Sequence, residues 1–152
     1  MKVVPTGIDP TLSNYSEAAG VLLFWGDLVL LCKRIRFDSA GNIPAYAGYW
    51  SPFAGGIEEG ETPLEAAVRE LEEESGLSIL SSRLEYINPI KQPHSIFHLY
   101  AVELEDHFTP ILDCEHTEYG YFKTRHLRVS PQPLCSSIIT SIEFYNQRRL
   151  SL

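Results

Sequence analysis

Apolar residues fall in two kinds of run along this chain. Ala18 to Trp25 is almost unbroken apolar sequence, and Leu28 to Cys32 is a second such run, with Gly26-Asp27 between them. Continuous apolar stretches of this length fit strands buried on both faces, and Gly-Asp suits a hairpin turn. Trp50 to Ala54, Leu77 to Ile87, Ser95 to Leu104 and Tyr119 to Lys123 read as further strands, the last two rich in aromatic and β-branched residues. Residues 88–95, with Pro89 and Pro93, read as a loop, as does the acidic stretch Asp106 to Glu118. Residues 1–17 read as an irregular arm. Residues 37–49, with Gly41-Asn42, Pro44 and Gly48, form a loop long enough to carry function.

Helical spacing is found twice. Near the C-terminus, Leu134, Ile138, Ile142 and Tyr145 recur at the helical period, followed by Arg148 and Arg149, whose charges favour a helix C-terminus. The other helix lies in the stretch that organises the chain, residues 55–77. There Thr62-Pro63-Leu64-Glu65 fits a capping box with proline at the first helical position, and Gly76 suits the C′ residue. A helix over 63–75 follows. At about 100° per residue, Glu70, Glu73 and Glu74 share an arc of about 100°. Leu64, Ala67, Val68 and Leu71 form the neighbouring stripe expected to face the core, leaving the three glutamates at its edge. Like charges at i, i+4 repel, so Glu70 and Glu74 call for an offsetting charge. A hard divalent cation, Mg²⁺ or Mn²⁺, would supply it. On the glutamates alone, a solvated acidic helix face is the simpler explanation of the pattern.

The spacing of the whole stretch changes that balance. Gly55, Glu61, Arg69, Glu70, Leu71, Glu73, Glu74, Gly76 and Leu77 stand in the order Gly-x5-Glu-x7-Arg-Glu-apolar-x-Glu-Glu-x-Gly-apolar, which chance usage would produce on the order of 10⁻⁹ times per starting point. In this the chain resembles the Nudix hydrolases, with no departure from their signature. The resemblance implies an α+β Nudix fold, a mixed β-sheet sandwiched between α-helices, over a single domain 1–152. It also implies a Mg²⁺-dependent enzyme, with Mn²⁺ as an alternative, that cleaves a pyrophosphate bond in a nucleoside diphosphate linked to another moiety. Carried over by position, Glu70 and Glu74 are the main metal ligands, with Glu73 beside them and the backbone carbonyl of Ala54 completing the set. Arg69 and Glu61 orient the ligands. The general base is Glu73 within the box or a distal loop glutamate, Glu115, with Glu118 behind it. Gly55 and Gly56 let backbone approach the phosphates.

Outside the signature, Arg34 in the basic cluster Lys33, Arg34 and Arg36 is expected to contact substrate phosphate, since guanidinium matches phosphate oxygens bidentately. Tyr46, Tyr49 and Trp50 could stack on a base, although Trp50 reads better as a plug onto the core. Ala54-Gly55 and the downstream Pro93 resemble features of ADP-ribose pyrophosphatases, so ADP-ribose or a related dinucleotide is the expected substrate. Dinucleoside polyphosphates, a nucleoside triphosphate, and a catalytically silent nucleotide sensor stay open, as does an mRNA decapping role. The five histidines show no ligand spacing, and His116, beside Glu115, reads as polar surface.

Composition adds limits. A formal charge of −8 argues against extended nucleic acid as a partner but not against a small nucleotide bridged by a cation. No apolar run approaches a membrane span. Three scattered cysteines fit a reduced, cytoplasmic protein. A homodimer is left open.

Overall fold

Strand β1 (Ser16–Trp25) runs through the middle of the sheet in the computed structural model, which describes residues 16–35 and 47–150. It pairs in parallel with β6 (Ser95–Glu103) and antiparallel with both β2 (Leu28–Arg34) and β4 (Phe53–Gly56). Beyond β2 lie β3 (Trp50–Ser51) and β7 (His116–Lys123), and β5 (Glu85–Gln92) forms the edge next to β6. Among the described residues these seven strands make one mixed sheet.

The unbroken apolar run of β1 follows from its place. Leu22 and Phe24 point to one face, where Ile138, Ile139, Ile142 and Tyr145 of α2 (Ser136–Leu150) cover them. Ala19, Val21 and Leu23 point to the other, against Ala66, Ala67 and Leu71 of α1 (Pro63–Ser75). Full burial of each large side chain contributes about 1.5–3 kcal/mol, so alternate residues stabilise both layers. The fold is therefore α+β, a mixed sheet with a helix packed on each face. No described helix is long and apolar enough to cross a membrane.

The β1–β2 hairpin turns at Gly26, whose φ of 59° favours glycine. Trp50 is buried against the α2 side, its Nε1 donating to Gln132 Oε1 at 3.1 Å, so it is a core plug. Several boundaries differ from the sequence reading. β1 begins at Ser16, inside the expected arm. Residues 77–80 are not a strand; Leu77 and Ile79 pack against the α1-side core, and a 3₁₀ turn at Ser81–Arg83 precedes β5. β5 then runs through Pro89, which the sequence reading put in a loop. An edge strand accommodates a proline because one side of its backbone needs no ladder partner. The acidic loop likewise ends earlier than expected, since β7 starts at His116.

Candidate active site

Helix α1 is positioned by its caps. Thr62 Oγ1 accepts from Glu65 N at 3.1 Å while Glu65 Oε1 accepts from Thr62 N at 2.9 Å, and Gly76, at φ 81°, donates its N–H to Glu72 O. The buried face is rotated from the expected stripe. Ala66, Ala67, Glu70, Leu71, Glu74 and Ser75 are buried, whereas Leu64 and Val68 are only half-buried. Two carboxylates thus enter the interior, Glu70 at 7% and Glu74 at 1% exposure, while Glu73 stays exposed. Packing sets this rotation: the helix lies over β1 and β4, and β4 is glycine at both of its last two positions.

Those glycines make room. A Cβ at Gly55 would lie 2.1 Å from Oε1 of Glu70, so the carboxylate fills the space that a side chain would occupy. Glu74 Oε1 accepts the backbone N–H of Ala54 at 2.7 Å. Arg69 ties the rest together. Its Nε and Nη2 bind Glu61 at 2.7 and 2.9 Å, and Nη1 reaches Glu70 at 3.0 Å and Glu73 at 3.3 Å. Nη2 also donates to Gly56 O at 2.9 Å. Hydrogen bonds to Glu61 first, and then to Glu70, raise the Arg69 pKa far above its ordinary value; the same guanidinium lowers that of Glu61. A buried carboxylate costs several kcal/mol unless it is compensated, roughly in the range of an unpaired buried charge. Glu72, Glu73 and Glu74 also crowd a helix C-terminus, where the dipole disfavours anions, and α1 has no basic residue in its last turn. Both features oppose stability and fit a site built to hold a cation.

Beside this cluster opens a cleft bounded by Ala18, Arg34, Tyr49, Trp50, Ala54, Gly55, Ile90, Gln92, Phe97 and Ile138 among others. Ala54 and Gly55 belong to both cleft and carboxylate cluster. Arg34 sits at the cleft edge, its Nη2 3.7 Å from Glu115 Oε1. Pro93 is an exposed turn residue between β5 and β6 and does not bound the cleft, whereas its neighbour Gln92 does. Tyr46 lies outside the described residues. Lys33 pairs with Glu118 at 3.4 Å. The loop before β7 is anchored by Tyr121, whose hydroxyl donates to Phe108 O at 2.6 Å and accepts from Phe108 N at 3.1 Å.

Two residues of the site were missed in the sequence. The His116 side chain is fully enclosed rather than surface, and its Nδ1 lies 2.8 Å from Asp113 Oδ1. Donor atoms of Glu74, Asp113 and His116 lie within 4.8 Å of one another. Histidine spacing held no signal, because the partners come from α1 and from the turn preceding β7. All three cysteines are free thiols. Burial first, then the charge of Glu74, pushes the Cys32 thiol well above its usual range.

A family model for the NUDIX domain matches residues 14–137, so the chain belongs to the Nudix family. It is 32% identical over 98 residues to an RNA pyrophosphohydrolase of Brucella anthropi, covering 59% of this chain and 53% of that protein. Over 101 residues it is 32% identical to an RNA pyrophosphohydrolase of Brucella abortus, covering 59% and 53%. The chain spans about half the length of these curated relatives. Among solved structures, a MutT NUDIX hydrolase from Burkholderia pseudomallei aligns with a TM-score of 0.68 at 22% identity, over 84% of this chain and 95% of that one. The NUDIX domain of Shewanella oneidensis NrtR, complexed with ADP ribose, aligns with a TM-score of 0.68 at 18% identity, over 94% and 99%. Both likenesses concern the fold.

Proposed function

We propose that this chain, acting as one domain, is a pyrophosphohydrolase that uses Mg²⁺, or Mn²⁺ in its place, to cleave a nucleoside diphosphate linked to another moiety. The observation that carries this reading is the burial of Glu70 and Glu74 on one helix face, each carboxylate fixed by backbone: one in the Gly55 gap, one on the Ala54 amide. The donors are hard oxygens with two negative charges to offset, which suits these ions. Glu70 and Glu74 would hold the ion, with Glu73 and the Ala54 carbonyl beside them. When bound, the ion neutralises charge on the phosphate oxygens and lowers the pKa of water.

The chain's own groups do the rest. Arg69, braced by Glu61, keeps Glu70 and Glu73 from splaying apart. Glu73, exposed at the cluster's edge, is the nearer candidate to take a proton from the attacking water. Glu115 is the distal candidate, and serving as base would require its pairing with Arg34 to open. Arg34 binds a phosphate, Gly55 and Gly56 admit it close to backbone, and Gln92, beside Pro93, faces the distal moiety from the cleft wall. The apolar wall of the cleft suits a nucleoside. ADP-ribose or a related dinucleotide is the substrate this reading favours, on the Ala54-Gly55 start of the signature. The reduced thiols suit the cytoplasm.

A second substrate reading comes from the Brucella relatives, each named an RNA pyrophosphohydrolase. The acidic surface would confine contact to the first nucleotides. The deciding experiment offers ADP-ribose, diadenosine polyphosphates, NADH, FAD, nucleoside triphosphates and 5′-triphosphorylated RNA, each with Mg²⁺, Mn²⁺ or chelator. Metal-dependent AMP release from ADP-ribose supports the first reading; pyrophosphate release from RNA supports the second. Nucleotide binding without turnover of any substrate would replace both with a sensor.

A further inference from the structure

We propose that Asp113 and His116 form a positioning pair for Glu74, holding its buried carboxylate in the orientation in which it takes a cation. The inference rests on the reading of Glu74 as a cation ligand. Glu74 Oε1 is fixed from β4 by the Ala54 amide. A donor atom from each of Asp113 and His116 lies within 4.8 Å of a Glu74 oxygen, on an element separate from α1 and β4.

That second element is itself rigid. Asp113 Oδ1 meets His116 Nδ1 at 2.8 Å and accepts Glu115 N at 3.2 Å, and His116 N approaches Asp113 O at 3.4 Å. The imidazole is enclosed, packs edge-on to Phe53 with ring centroids 6.2 Å apart, and starts a strand laddered to Arg34 of β2. A carboxylate that fixes one ring nitrogen of a histidine is the usual way a protein sets imidazole orientation next to a metal site. The pair therefore couples the turn before β7 to the helix that bears the box glutamates. Because the same turn carries Glu115, opposite Arg34, it sets cation site and cleft edge together.

The test is Mn²⁺ binding without substrate, read from the free-ion EPR signal, on wild type and on Asp113→Ala, Asp113→Asn, His116→Ala and Glu74→Gln. Thermal unfolding in chelator establishes that each variant folds. Asp113→Ala and His116→Ala are expected to weaken Mn²⁺ binding about tenfold or more, the usual effect of removing a residue that orients a ligand. Asp113→Asn keeps an acceptor for the imidazole and should recover most of the affinity. Should His116→Ala fail to fold, the two Asp113 variants carry the test. Lowered melting temperature with wild-type Mn²⁺ affinity in the folded Asp113→Ala and His116→Ala proteins would overturn the proposal. If Glu74→Gln also binds Mn²⁺ like wild type, the ligand assignment of Glu74 falls as well; if Glu74→Gln alone loses binding, only the positioning pair is refuted.

Discussion

The carboxylate of Glu70 lies where a Cβ of residue 55 would be, 2.1 Å from its ideal position. Gly55→Ala must therefore displace Glu70, because the three atoms nearest the added Cβ all belong to its carboxyl group. Displacement of a positioned group by about 1 Å costs on the order of 100-fold in rate. Steady-state kinetics should show that loss in kcat at saturating metal. Activity within a few fold of wild type would mean that Glu70 does not need its present position.

Arg69 is the counter-charge inside the cluster, so Arg69→Ala leaves Glu61, Glu70 and Glu73 to repel one another. Loss of charged hydrogen bonds of this kind costs about 1.5–3 kcal/mol each at most, and solvent reduces that here. The informative readout is the interaction with Mg²⁺ in urea unfolding. The variant is expected to be less stable than wild type in chelator and to gain less stability than wild type on adding Mg²⁺, because ligands that are no longer oriented hold the ion more weakly. Equal stabilisation of both proteins would separate Arg69 from the cation site.

The Glu61 pKa is depressed, chiefly by its hydrogen bond to Arg69. A depressed folded-state value stabilises the protein above the unfolded glutamate value of about 4.3, and the contribution disappears as pH falls through the folded value. Stability measured from pH 6 down to 2 should thus fall less steeply in Glu61→Gln than in wild type, with parallel curves above pH 6. A steeper fall in the variant would reverse the assigned sign.

Glu115 distinguishes two roles by kinetics. As the base, its loss in Glu115→Gln would lower kcat by about 10²–10⁴-fold and remove an acidic limb from the pH profile. The 3.7 Å pairing with Arg34 favours the other outcome, a rise in KM of less than about tenfold with kcat nearly intact, in the range expected of an exposed ion pair.

Much of the site was legible because its logic is local. Thr62, Pro63, Glu65 and Gly76 fix the helix by contacts within a few residues, and the signature spacing places Glu61 against Arg69. The rotation of α1 was not legible. Val68 looks as apolar as Leu71, but packing on β4 turns Glu70 and Glu74 inward instead. Pro89 hid the continuation of strand β5 beyond Ile87, since its tolerance depends on an edge position that only the assembled sheet defines. His116 was opaque for a similar reason: Asp113 is near it in sequence, but the burial that makes the pair consequential comes from Phe53 and Glu74.

Turnover by Glu74→Gln, set beside wild type on the best substrate of the panel with Mg²⁺ and with chelator, tests the central claim most directly. Glutamine keeps the shape and an acceptor for the Ala54 amide but removes the charge. The account predicts metal-dependent hydrolysis by wild type, loss of turnover in the variant and an unchanged fold by circular dichroism. Full activity in the variant, or hydrolysis by wild type that chelator leaves untouched, would contradict it.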